Sequence, residues 1–140
     1  LARRAQELAA EHAAERVTFG KPLSQRQAIS FALAENAADI EASRQLVLHA
    51  ARRWEAGAAD APVLSSMAKL TAVDMLGRVT DKALQAHGGI GFWASSPIER
   101  VYRDARAQRF EEGTNEIQKT IIAREVFAPV HASIAERQVG

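Results

Sequence analysis

The sequence predicts an all-α protein, an up-and-down bundle of about four long helices plus a short one. Three observations lead there. Alanine is abundant, and it is the strongest helix former. Apolar–polar alternation at period two, the mark of a half-buried strand, is nearly absent. Glycine and proline number only 8 and 4 in 140 residues and fall at few places, so they separate long segments rather than break them up.

Leu1 to about Val17 is a first helix, ended by the turn Thr18-Phe19-Gly20-Lys21-Pro22. Ser24 then has the character of an N-cap, with Gln27 three residues on completing a capping box. A long helix follows to about Ala56, and Gly57 supplies its stop. Within it Leu33, Ile40 and Val47 recur at heptad spacing, with Ile29 and Ala37 beside them. That stripe is what bundle packing requires, over a length of about 50 Å. Asp60-Ala61-Pro62 opens the next helix, with proline near its first turn. Leu64, Ala68, Ala72, Met75, Val79 and Ala83 keep the three/four spacing of a buried face as far as His87, before Gly88-Gly89. Ser96-Pro97-Ile98-Glu99 combines an N-cap serine, proline at N1 and glutamate at N3, and starts a shorter helix to about Arg109. Thr114 caps a last helix with Asn115 and Glu116 in its first turn. This helix is expected to run to about Phe127, where Pro129 interferes, leaving a tail that continues helically or frays. No internal repeat, low-complexity stretch or second domain is visible; residues 1–140 read as one domain.

Composition narrows the function. The chain is long enough for one domain with a real core, and 47% apolar residues exclude a disordered segment. A net charge of +1, from 18 basic and 17 acidic side chains, lacks the basic excess of a nucleic-acid binder. The absence of cysteine removes disulfides, thiolate catalysis and zinc–cysteine sites; it fits a reducing cytoplasm, the expected location. No signal peptide is visible, and no stretch reaches the ~18–20 apolar residues of a membrane helix. The chain starts at Leu1 with helical sequence at once, so it is expected to be a processed product or a fragment of something longer, containing one domain of it. His12, His49, His87 and His131 are scattered without metal-ligand spacing, and no metal site is expected.

Glu111-Glu112-Gly113-Thr114 puts a carboxylate on a glycine turn just before a helix start, where it can be held rigidly at a pocket edge. By itself that position also suits an acid favoured by the helix dipole. Arg16, near the end of the first helix, equally suits the carbonyl dipoles there or an external anion. Gln85-Ala86-His87-Gly88-Gly89-Ile90-Gly91-Phe92 is a helix stop and loop, but its glycines would also let the backbone approach a phosphate or ribose. No strand precedes it, so it is not a dinucleotide-fold fingerprint.

Taken together, three segments resemble the C-terminal domain of the acyl-CoA dehydrogenases, flavoenzymes that desaturate acyl-CoA thioesters. They are Glu15-Arg16-Val17-Thr18-Phe19-Gly20-Lys21-Pro22-Leu23 with Gln27-Ala28-Ile29, the Gln85–Phe92 segment, and Arg103-Asp104-Ala105-Arg106 leading to Glu112-Gly113-Thr114-Asn115-Glu116-Ile117-Gln118 and Ala123-Arg124-Glu125. They stand in the family's order at about its spacing and span nearly the whole chain. The resemblance implies a large flavoprotein with an N-terminal helical domain, a middle β-domain and this helical bundle, of which the chain contains only the last. It implies FAD bound between the middle domain and the bundle near a subunit interface, in a homotetramer built as a dimer of dimers. It also implies an acyl-CoA substrate and electron-transfer flavoprotein as acceptor.

Residue by residue, the resemblance makes Glu112 the base for the weakly acidic thioester α-proton, a task that calls for a positioned carboxylate with a raised pKa. The β-hydride goes to the flavin, since no ordinary side chain accepts one. Arg16, Thr18 and Phe19 match an Arg-x-x-Phe-Gly element whose arginine approaches the FAD pyrophosphate, usually across an interface. Gln27 matches a residue near the adenine end and keeps its capping role as the alternative. Gln85, Gly88 and Gly89 match a second FAD-contacting element. Thr114 and Glu116 match positions that touch FAD, compatibly with an N-cap and a first-turn acid. Gly113 matches a position whose backbone lies near the substrate. Glu111 is a departure: the family commonly has tyrosine beside the thioester. A carboxylate there either raises the pKa of Glu112 by repulsion, if both face one cavity, or points to solvent. Arg103, Asp104 and Arg124 are expected in ion pairs, and Trp54 and Trp93 as packing residues or interface anchors. The alternatives are an acyl-CoA oxidase or another flavoprotein of the superfamily, and a non-catalytic helical oligomerisation module. The isolated chain is expected to be inactive, with half of the site absent.

Overall fold

Helix α1 spans Ala2–Glu15, α2 Gln27–Glu55, α3 Ala61–His87, α4 Pro97–Ala107 and α5 Asn115–Val139. These are the four long helices and the short one that the pattern predicts. The computed structural model describes residues 1–139. Helix α3 is the spine and packs against each of the other four. Its Met75, Val79, Ala83 and Ala86 meet Ala5, Leu8 and Ala9 of α1 and Ile98 of α4 in one core. Much of that core is alanine, which lets helix backbones approach closely. The larger Ile98 is wholly buried and locks α4 onto the pair.

The turn after α1 is a small antiparallel hairpin. Strand β1 (Val17–Thr18) pairs with β2 (Lys21–Pro22), with Val17 opposite Pro22 and Thr18 opposite Lys21. Its two central residues, Phe19 and Gly20, have φ of 48° and 74°. Positive φ at both positions gives a two-residue turn whose twist suits antiparallel strands. The Arg26 guanidinium donates to the Thr18 carbonyl at 2.6 Å and lies 5.9 Å from the Phe19 ring centre.

Several expected element boundaries are corrected. The Ser24–Gln27 capping box does not form. Ser24 sits within a 3-10 turn, Leu23–Gln25, so α2 begins only at Gln27, with Arg26 as N-cap and no side-chain cap. At α4 Ser96 is the N-cap and proline follows, but its side chain makes no cap bond. Glu99 instead pairs with Arg103 at 3.2 Å. Helix α5 does not stop near Phe127 and continues through Pro129. Residues 123–138 are exposed, so water can satisfy the carbonyl that proline deprives of its partner.

The α2 seam is also more polar than its apolar stripe suggests. Leu33, Ile40 and Ile29 pack on the core, whereas Ala37 and Val47 are exposed. The fully buried residues of α2 are Asn36, Ser43 and Ala50. Each follows a stripe residue by three positions, so the buried seam alternates apolar with small or polar side chains.

Candidate active site

Glu112 lies between α4 and α5 on a loop that α3 grips from one side. The Lys69 ammonium, projecting from α3, donates to the carbonyls of Glu111 (2.7 Å) and Gly113. Asp74, further along α3, accepts from the Asn115 amide at 2.9 Å and lies 3.8 Å from the Arg109 guanidinium. The Gln118 amide, from the first turns of α5, reaches back to the Glu112 carbonyl at 3.3 Å. The guanidinium of Arg109 lies over Gly77, where an added Cβ would come within 2.7 Å of it. The loop is therefore tied at Arg109, at three successive carbonyls and at Asn115.

That anchorage holds an unfavourable backbone. Glu112 has φ of 53°, in the left-handed region that non-glycine residues rarely enter. Such a conformation costs about 1–3 kcal/mol and persists only where surroundings over-determine it, often at functional sites. Gly113 follows with φ of 86°, which suits glycine. The Glu112 side chain is exposed, while its neighbour is engaged: the Glu111 carboxylate accepts from Gln108 at 2.7 Å. Thr114 caps α5, its hydroxyl accepting from the Ile117 N–H at 3.4 Å. The Glu116 carboxyl is held below its usual range by its own backbone N–H and by the Thr114 hydroxyl.

A second group of residues meets at the other end of α3. Arg16, Thr18, Gln85, Gly88 and Gly89 line one cleft of about 530 Å³, together with His12, His87 and Ile90. Gln27 and Phe19 are outside its lining; Phe19 is 99% exposed at the hairpin tip. Glu112 is not part of this cleft either, so the residues singled out in the sequence fall into two groups joined by α3.

The glycines that follow α3 differ in kind, and two of them, Gly88 and Gly89, line the cleft. Gly88 has φ of 63° and ψ of −151°, a combination open essentially to glycine alone. Gly91 packs so tightly that an added Cβ would lie 2.8 Å from the His87 Cβ. At Gly89 an added Cβ would meet nothing within 4 Å.

Two residues of the cleft carry a relation that spacing along the chain could not reveal. His12 of α1 and His87 of α3 stack with ring centres 4.5 Å apart and planes 18° from parallel. Burial, then His87, then Arg16, push the His12 imidazole below its ordinary value, while Glu15 opposes them. The His87 Nδ1 lies 2.8 Å from the Ala83 carbonyl, so Nδ1 carries the hydrogen. The remaining expectations divide. Arg103 is paired with Glu99, and Asp104 with Arg100 at 3.7 Å. Trp54 and Trp93, 62% and 68% exposed, do not pack into this chain's core. Among the described residues no cluster of three or more His, Cys, Asp or Glu could hold a metal, and no helix is long and apolar enough to cross a membrane.

The family described as "Acyl-CoA dehydrogenase, C-terminal domain" matches residues 1–127. The chain belongs to that family. Among relatives of this acyl-CoA dehydrogenase domain, cyclohexane-1-carbonyl-CoA dehydrogenase of Geobacter metallireducens is 41% identical over 117 residues, covering 84% of this chain and 30% of that protein. The NADH-dependent acryloyl-CoA reductase of Anaerotignum propionicum is 42% identical over 121 residues, 86% of this chain and 30% of that protein. The solved butyryl-CoA dehydrogenase of Megasphaera elsdenii superposes with a TM-score of 0.86 at 40% identity, over 90% of this chain and 33% of that one. The domain therefore spans about a third of the length of the proteins it matches.

Proposed function

We propose that the chain is the C-terminal helical domain of an FAD-dependent acyl-CoA dehydrogenase and that Glu112 is its base. The observation that carries this reading is Glu112 itself. It is an exposed carboxylate on a strained left-handed backbone, fixed by α3 and α5 and not consumed by an ion pair or by capping. Strain retained at an acid of this position suits a group that must meet a substrate in one orientation. Glu112 would take the α-proton of the thioester and hold it on its carboxylate. Gly113, without a side chain, would leave room for the thioester beside it. Glu111, tied to Gln108, would stay out of the proton transfer.

The cleft between α1 and α3 suits FAD chemically. It offers one exposed cation (Arg16), a hydroxyl and an amide from Thr18 and Gln85, and a backbone stretch without Cβ atoms. When bound, the flavin would supply the acceptor for the β-hydride. Phe19, at the hairpin tip, and Gln27 are exposed outside this chain's own cleft and suit contacts across a subunit interface in a homo-oligomer. Electron-transfer flavoprotein would be the acceptor. The similarity to an acryloyl-CoA reductase favours one second reading, in which the same carboxylate returns a proton and the reaction runs toward the saturated thioester.

The test uses the complete flavoprotein without oxygen, titrated with short, medium, long and branched acyl-CoAs while flavin absorbance is followed. Bleaching is expected with at least one of them and is expected to vanish in Glu112→Gln. A flavin-loaded protein with no Glu112-dependent bleaching would sink the dehydrogenase reading. A complete native protein devoid of flavin would favour the helical oligomerisation module instead.

A further inference from the structure

We propose that Lys69 is a positioning residue for Glu112, tying the carbonyls on either side of it to α3 and so fixing the backbone on which the carboxylate stands. The proposal rests on the reading of Glu112 as the base. Lys69 is distant in sequence from the Glu112 motif, and no pattern around it points to chemistry. In the fold, one ammonium donates to the carbonyls of both Glu111 and Gly113. Gln118 takes the carbonyl between them, so residues 111, 112 and 113 each give up their carbonyl to a side chain.

Of these donors only Lys69 is charged, and charge-assisted hydrogen bonds are roughly twice as strong as neutral ones. It also comes from the helix that forms the spine of the core, whereas Gln118 belongs to the helix that the loop itself begins. Lys69 therefore ties the loop to the rigid part of the domain. A left-handed glutamate needs such a tie, because its backbone would otherwise relax to negative φ and swing the carboxylate away. A displacement of about 1 Å at a reacting group can cost on the order of a hundredfold in rate. Lys69 holds the backbone carbonyls of residues 111 and 113 rather than the Glu112 carboxylate, so its effect on the base would pass through geometry.

The experiment compares Lys69→Met, which keeps length and removes charge, with Lys69→Arg, which keeps a cation, in the complete flavin-loaded protein. Flavin reduction by saturating acyl-CoA is timed anaerobically, acyl-CoA affinity is titrated separately, and amide exchange is followed across residues 110–116. For Lys69→Met the expected result is reduction slowed by about a hundredfold with affinity and flavin content retained. Faster exchange is expected in the loop but not along α3, and Lys69→Arg should recover part of the rate. Unchanged exchange in the loop would overturn the proposal. So would an unchanged rate, or a slowing that merely tracks lost flavin. If the unsubstituted protein holds flavin yet bleaches with no acyl-CoA, the role of Glu112 fails separately, and loop exchange alone decides whether Lys69 is the clamp.

Discussion

Among the described residues nothing requires glycine at residue 89. Gly88 needs its unusual backbone angles and Gly91 needs its tight packing on α3, but a methyl group at Gly89 would enter open space. A cofactor lying against this backbone, as proposed, would use the room that the missing Cβ leaves. Gly89→Ala is accordingly expected to leave thermal stability within about 0.5 kcal/mol while lowering the flavin retained per protein after gel filtration. Undiminished flavin in this variant would remove Gly89 from the cofactor site. Glu112 and Glu111 show the complementary lesson: two identical adjacent side chains are separated by one backbone conformation and one hydrogen bond from Gln108.

Among the elements, α2 has the least economical core. Asn36 is wholly buried, and neither polar atom of its amide has a partner. A buried donor or acceptor left unsatisfied costs about 1–3 kcal/mol, whereas an apolar replacement of similar shape can stabilise. Asn36→Leu is therefore expected to stabilise the fold by about 1 kcal/mol, read as a higher unfolding midpoint in urea at unchanged slope. A lowered midpoint would mean that the amide is in fact satisfied, by an internal water or by the nearby Gln6, whose Oε1 is also buried without a partner. Helix α5 shows how much solvent tolerates: the greater part of it, residues 123–138, is exposed, and Pro129 does not end it.

Across the whole molecule, α1 and α3 meet at their C-terminal ends in the His12–His87 stack, and the burial of His12 there, more than the facing His87, makes stability depend on pH. His12 titrates below its ordinary 6.5 in the folded state. Below that pH the unfolded chain binds more protons, so the contribution is complete above 6.5 and is lost as pH falls through the lower folded value. Glu15 and Arg16 act on the same imidazole in opposite senses, and His87 faces it directly. The unfolding midpoint of the complete protein, followed from about pH 8 to 5, should fall on the acid side, and His12→Phe should flatten that limb. An unaltered acid limb in His12→Phe would assign it to other groups. At the same scale, Phe31 and Trp54 of α2 and Phe127, Val130 and Ile134 of α5 leave sizeable apolar surface uncovered. Such surface suits a domain that completes its packing against others.

The sequence by itself determined the helical class, the five helices and nearly all their ends. Those follow from local rules: apolar spacing in α3, Gly57 and Gly88 as stops, and Pro97 at a first turn. It also determined the family, because three motifs stand in order along the chain. It misjudged places where local propensity was outweighed. Ser24 looked like a cap but was taken into a 3-10 turn leaving the hairpin, and Pro129 looked like a stop but lay where water could replace the missing bond. Only tertiary structure could decide that Arg16, Thr18, Gln85, Gly88 and Gly89 share a cleft while Glu112 stands apart, or that His12 meets His87. Lys69 was invisible for the same reason. Its two hydrogen bonds span more than forty residues, and no periodicity records which side chain on one helix will reach the carbonyls of a distant loop.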